Sequence, residues 1–100
     1  MITRDEALEI ARSHVGAIAL AAAGDSLVII DAETIEKPYG WIFFYSSKRY
    51  LETGDMSFAI AGNAPFLVKR ESGEIEVLGT ALPVDHYIAA YERAQRDGTV

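Results

Sequence analysis

Between Arg4 and Ala22 the apolar positions recur at helical spacing. Ala7, Leu8, Ala11, Val15, Ile18, Ala19 and Ala22 fall in one arc, while Asp5, Glu6, Glu9, Arg12 and Ser13 lie opposite. Thr3 with Glu6 three residues later reads as a capping box that opens this helix, and Gly24-Asp25 reads as its stop. Because the buried stripe is mostly alanine, the helix is expected to approach its packing partner closely. From Leu27 to Glu36 the period changes to two, with Val28, Ile30 and Ala32 on one side and Asp31 and Glu33 on the other, which predicts a first strand. Lys37-Pro38-Tyr39-Gly40 supplies a turn, and Trp41-Ile42-Phe43-Phe44-Tyr45 is apolar on both faces, as a central strand covered on both sides would be. Phe66 to Arg70 and Glu74 to Leu78, joined by Glu71-Ser72-Gly73, predict a hairpin. Phe66 and Val68 share one face, Ile75 and Val77 share one face of the partner, and Lys69 can meet Glu74 or Glu76 across the pair. Pro83 suits a first helical turn, Asp85 suits a helix N-terminus, and Val84, Tyr87, Ile88, Tyr91 and Ala94 share an arc, predicting a C-terminal helix to Gln95.

These elements predict an α+β fold in one domain over residues 1–100: an N-terminal helix, a four-stranded, mainly antiparallel sheet in meander order, and a C-terminal helix. Ser46 to Ala64 has no clear pattern, and structureless loops of that length are uncommon in compact domains. Asp55 is placed to cap a short helical turn through Met56, Phe58 and Ile60, ended by Gly62 or Asn63. A specialised surface is expected in this excursion.

Composition narrows the function classes. Alanine makes 15 of the 50 hydrophobic residues, leaving 35 larger ones for a core, and a chain of this size can bury about 65% of its unfolded surface. A net charge of −6 and a pI near 4.7 oppose polyphosphate and anionic bilayers, so neither nucleic acid nor membrane is expected as a partner. With no cysteine the chain has no disulfide, thiolate metal site or thiol nucleophile, which suits the cytosol. Val15 to Ala23 imitates a signal-peptide core, but acids precede it and nine apolar residues are too few to span a bilayer; no targeting or transmembrane segment is expected.

The chemistry-bearing residues read as scattered. His86 falls on the polar side of its helix and His14 borders the apolar arc of the first, so they read as a solvated and a half-buried core histidine respectively. None of the six serines sits in a nucleophile elbow, and Gly54, Gly62, Gly73 and Gly79 make no phosphate cradle. The acid pairs Asp31/Glu33 and Glu74/Glu76 read as solvated sheet faces, and the basic pairs Lys48-Arg49 and Lys69-Arg70 are too sparse for a nucleic-acid footprint. No catalytic residue, metal or cofactor is expected. The aromatic strand is the sharper feature: Trp41, Phe43 and Tyr45 face one way, Ile42 and Phe44 the other, so both faces demand cover. Two helices or the excursion can supply it, and a partner or a second copy in a homodimer is the alternative.

Leu51-Glu52-Thr53-Gly54-Asp55, Ala61-Gly62-Asn63-Ala64-Pro65-Phe66, Glu71-Ser72-Gly73-Glu74-Ile75 and Leu78-Gly79-Thr80 occur in that order. With the aromatic run from Trp41 and the closing Pro83 to Glu92 segment, they make the chain resemble the YrhB-like branch of the immunity protein 35 family. The resemblance is strongest from Leu51 to Glu92 and weakest over Leu27 to Glu36. It implies a small, non-catalytic α+β protein of bacterial polymorphic toxin systems that protects its producer by binding a cognate toxin, often a papain-like peptidase. For the YrhB-like branch it also implies a heat-stable, chaperone-like holdase. Under the first reading Trp41, Tyr45 and Tyr50, with the loop residues Thr53, Asp55, Met56 and Phe58, are the first expected contacts. Gly62, Asn63, Pro65 and Gly73 read instead as turn residues that serve the fold.

Overall fold

The computed structural model describes residues 1–21, 27–54 and 64–96. Its first helix, α1 (Arg4–Ala21), opens on the expected capping box: the Glu6 amide donates to Thr3 Oγ1 (3.2 Å) and the Thr3 amide to Glu6 Oε1 (3.0 Å). The expected stop at Gly24-Asp25 lies outside the described residues. The chain continues through β1 (Leu27–Ile29), a 3-10 turn (Asp31–Glu33), β2 (Ile35–Lys37), β3 (Gly40–Phe43), β4 (Tyr45–Ser47), α2 (Lys48–Thr53), β5 (Phe66–Lys69), β6 (Ile75–Val77) and α3 (Val84–Arg96). All pairings are antiparallel. β1 pairs with β4, and the other four strands lie in the order β2-β3-β5-β6, which is the expected meander.

The single strand expected from Leu27 to Glu36 is in fact two. Ile29 lies opposite Tyr45, the Ile30 amide donates to the Phe44 carbonyl (2.8 Å), and the next ladder begins with Ile35 opposite Ile42. From the first of these pairs to the last, one strand advances six residues while its partner retreats three. Asp31-Ala32-Glu33 is thus a three-residue insertion coiled into a 3-10 turn, and Ala32 is exposed rather than aligned with Val28 and Ile30. Since side chains alternate with period two, an odd insertion exchanges the faces. Leu27 and Ile29 accordingly pack on the α1 side with Tyr45, and Ile35 on the α3 side with Ile42.

Each face of the sheet carries one helix. On the first, Ala7, Ala11 and Val15 of α1 meet Trp41, Phe43, Tyr45, Phe66 and Val68; on the second, Ile88 of α3 meets Ile42, Leu67 and Leu78. The strand that demanded cover on both sides is covered by the chain itself, so its aromatic face gives no reason for a second copy.

Two glycines set the strand ends. A Cβ on Gly40 would run into the Val68 carbonyl, so the turn into β3 closes against β5 only without a side chain. Gly73, with φ +76°, closes the β5–β6 turn above Ile10 and Ile2. Pro65 is buried just before β5, and its carbonyl accepts the Leu78 amide (2.8 Å). Gly62 and Asn63 lie outside the described residues.

Candidate functional site

Two of the aromatic residues expected to anchor a partner, Trp41 and Tyr45, are core residues. Trp41 is 1% exposed, with the Arg70 guanidinium 4.2 Å from its ring centroid, and its Nε1 is buried without a hydrogen-bond partner. Tyr45 is buried beside Phe66, and that burial pushes its phenol pKa up. Neither side chain is available to a partner in this conformation. The correction has a simple cause: the same alternation that would present an aromatic stripe also fills a sheet face beneath an alanine-lined helix, and α1 supplies that helix.

Tyr50 and Thr53 lie together on α2, which sequence patterning did not find. This six-residue helix starts directly after β4, inside the stretch expected to be irregular, and ends before Gly54 (φ +71°). Its composition, Lys-Arg-Tyr-Leu-Glu-Thr, is rich in good helix formers, a signal too short to register as a periodic face. Leu51, Glu52 and Thr53 are exposed, Leu51 by 47%. Asp55, Met56 and Phe58, and the helical turn expected there, lie outside the described residues.

Arg70 and Tyr39 organise the other end of the sheet. Arg70 donates to the carbonyls of Pro38 (3.0 Å) and Lys37 (2.9 Å) and to Glu36 Oε2 (3.1 Å), stapling the β2–β3 turn over Trp41. Lys69 faces Glu76 at 3.7 Å, so each member of the expected basic pair meets an acid of this chain. The Tyr39 hydroxyl donates to Glu92 Oε2 (2.8 Å), which also faces Lys37 Nζ at 3.4 Å, and the Tyr39 ring packs against Tyr91 with centroids 4.8 Å apart. Burial, and then the bond to Glu92, hold the Tyr39 phenol well above its ordinary pKa; burial also raises Tyr91.

Both histidines sit as their patterns predict. His14 is half-buried, its ring 4.5 Å from that of Phe66, and His86 is exposed, with its ring packed edge-on to Tyr87 at 5.5 Å. Among the described residues no group of three His, Cys, Asp or Glu is placed to hold a metal, and no helix is long and apolar enough to cross a membrane. The described carboxylates that meet cations do so as ordinary surface pairs, such as Asp31 with Arg4 at 3.2 Å. What the described surface offers is contact: the short exposed α2, and a β5–β6 end carrying exposed Glu71, Glu74 and Glu76.

Comparison with known proteins gives this surface a context. The uncharacterized protein YrhB of Escherichia coli (strain K12) is 49% identical over 53 residues, covering 53% of this chain and 56% of that protein. The matched region thus spans about half the length of the curated relative. No solved structure matches at a significant level. Residues 5–93, from the first turn of α1 to near the end of α3, match the family Immunity protein 35, and the chain belongs to that family.

Proposed function

We propose that this protein is a non-catalytic immunity protein, which binds a cognate polymorphic toxin in the cytosol of its producer and neutralises it by occlusion. The observation that carries the reading is the family match across residues 5–93, which reaches from the first turn of α1 into α3. The surface chemistry supports it. A net charge of −6 favours fast, salt-dependent association with a basic partner, and α2 exposes an apolar side chain, Leu51, beside polar Glu52 and Thr53, a mixture typical of interface contacts. The contact surface in this proposal is α2 with the residues that follow it: Tyr50 and Thr53, then Asp55, Met56 and Phe58.

The test is affinity purification of the tagged protein from its own host, with mass spectrometry of what accompanies it. One stoichiometric partner carrying a toxin domain is the expected result, and Leu51→Glu on α2 should then weaken that complex about tenfold or more while leaving the free protein folded. A heterogeneous set of heat-labile clients would replace this reading with the holdase one. A specific partner whose affinity ignores α2 would move the interface elsewhere.

A further inference from the structure

β6 ends its sheet, and among the described residues nothing pairs with its outer edge. The Lys69 amide donates to the Glu74 carbonyl (2.9 Å) and the Leu78 amide to the Pro65 carbonyl (2.8 Å) on the two sides of the Leu67–Glu76 pair. Antiparallel pairing alternates hydrogen-bonded and non-bonded pairs, so Glu74, Glu76 and Leu78 turn their backbone groups toward β5. Ile75 and Val77 therefore turn N–H and C=O outward, where the described structure places no further strand. Beside this edge runs a groove of about 460 Å³, lined by Leu78 below and by Tyr87, Ala90 and Ala94 of α3. Val77 is 57% exposed.

The pattern of side chains along the edge specifies what would add to it. Ile75 and Val77 lie on the α1 side, apolar, while Glu74 and Glu76 lie on the α3 side, exposed and acidic, with Glu71 at the adjoining turn. Glu76 meets Lys69 at the long distance of 3.7 Å. An added strand would set every second residue beside Val77 and Ile75, where an apolar side chain is favoured. It would set the intervening residues into the groove beside Glu76 and Glu74. A lysine or arginine fits there, its aliphatic stem against Ala90 and Ala94 and its charge toward the glutamates. A second copy of β6 does not fit, since two-fold antiparallel pairing would place glutamates beside glutamates. The outer edge of β1 differs: it lies alongside α1, and the charges at its rim are already matched, Asp31 with Arg4 and Arg12 with Glu9.

We infer that the β6 edge and the α3 groove form a strand-addition site for an extended segment of a partner protein in which apolar residues alternate with lysine or arginine. The site is separate from the α2 surface and its test needs no toxin, so the two readings stand or fall apart. The probe is a blocked heptapeptide alternating lysine and valine, titrated into the isotope-labelled full chain at low salt, with the glutamate–valine analogue as control. The basic peptide is expected to shift the amide resonances of Ile75 and Val77 and to slow their hydrogen exchange about tenfold at saturation, and the acidic one to do neither. Val77→Pro removes an outward-facing donor while leaving the β5 ladder bonded, and should abolish binding without moving β5 resonances. Glu76→Lys, at an exposed position, should weaken binding about tenfold or more. Equal binding of both peptides, perturbations mapping away from β6, binding indifferent to both variants, or a free protein already dimeric through β6 would each overturn the inference.

Discussion

On the α1 side of the sheet, Ala7 and Ala11 are fully buried and the side chains beneath them, Trp41, Phe43, Phe66 and Val68, are at most 1% exposed. On the α3 side the helix contributes Tyr87 and Tyr91, both half-buried, and one buried apolar residue, Ile88; a hydrogen bond and an ion pair to Glu92 complete the contact. The difference lies in which partner supplies the volume. Small residues on a helix let its backbone descend onto a sheet of large residues and exclude water. Large amphipathic residues on the helix hold it further off and leave their hydroxyls at the rim, where polar contacts finish the interface. One face of this protein is therefore a core sealed by its helix, and the other is a buried apolar centre finished by polar contacts at its rim.

Truncation should expose that asymmetry most strongly. Phe66→Ala removes a fully buried ring that contacts both Phe43 and Tyr45 and is expected to cost about 3–5 kcal/mol, enough to unfold a marginal domain. Ile88→Ala, at the centre of the α3 face, is expected near the low end for its type, about 2 kcal/mol, because water and the flexible tyrosines can fill part of the space. Urea unfolding of the two variants measures both. Equal losses would mean that α3 is as tightly seated as α1.

Enlargement is the converse test, with a smaller effect. Ala11→Leu forces a side chain into the closest helix–sheet approach and should destabilise by about 1–3 kcal/mol. Ala90→Leu places the same side chain at the rim of the α3 groove, where Ala90 is exposed, and should stay within about 0.5 kcal/mol of the parent. If Ala11→Leu were tolerated as well, alanine would not be what sets the α1 distance.

Much of this contrast was legible in the residues. The capping box, the alanine stripe and the two-sided apolar strand gave α1, β3 and the need for two covers, because each is a local pattern with one dominant physical outcome. The β5–β6 hairpin was legible down to a cross-strand partner for Lys69, Glu74 or Glu76, of which the structure pairs it with Glu76. What escaped was set by tertiary context. The 3-10 insertion at Asp31–Glu33 hides inside an alternating polar pattern, since alternation records faces and not pairing register. Likewise α2 is too short to show a periodic face, and its identity follows from the end of β4. Trp41 and Tyr45 misled for a deeper reason: a stripe of aromatics is equally the signature of an interface and of a core, and only the position of α1 separates the two. Arg70 drew notice as half of a basic pair, yet three hydrogen bonds and the Trp41 ring give it a structural role that no spacing rule announces.

The polar rim of the α3 face yields the finest test. Tyr39→Phe keeps the ring stacked on Tyr91 and deletes only the hydroxyl that donates to Glu92, so at neutral pH the cost should be about 1 kcal/mol or less, given how much of Glu92 water reaches. The pH dependence is the more telling measurement. Burial and the bond to Glu92 raise the phenol pKa in the folded state above the unfolded value of about 10. Below that unfolded value the hydroxyl is protonated in both states and its contribution is complete. Above it the unfolded chain releases the proton first, so stability falls as pH rises toward the folded pKa. The parent should therefore lose stability between pH 10 and pH 12 more steeply than Tyr39→Phe does, with the other alkaline groups common to both. Parallel slopes would show that the hydroxyl ionises as easily in the folded protein as in the unfolded chain, and that the Tyr39–Glu92 bond adds nothing to holding α3 on its face.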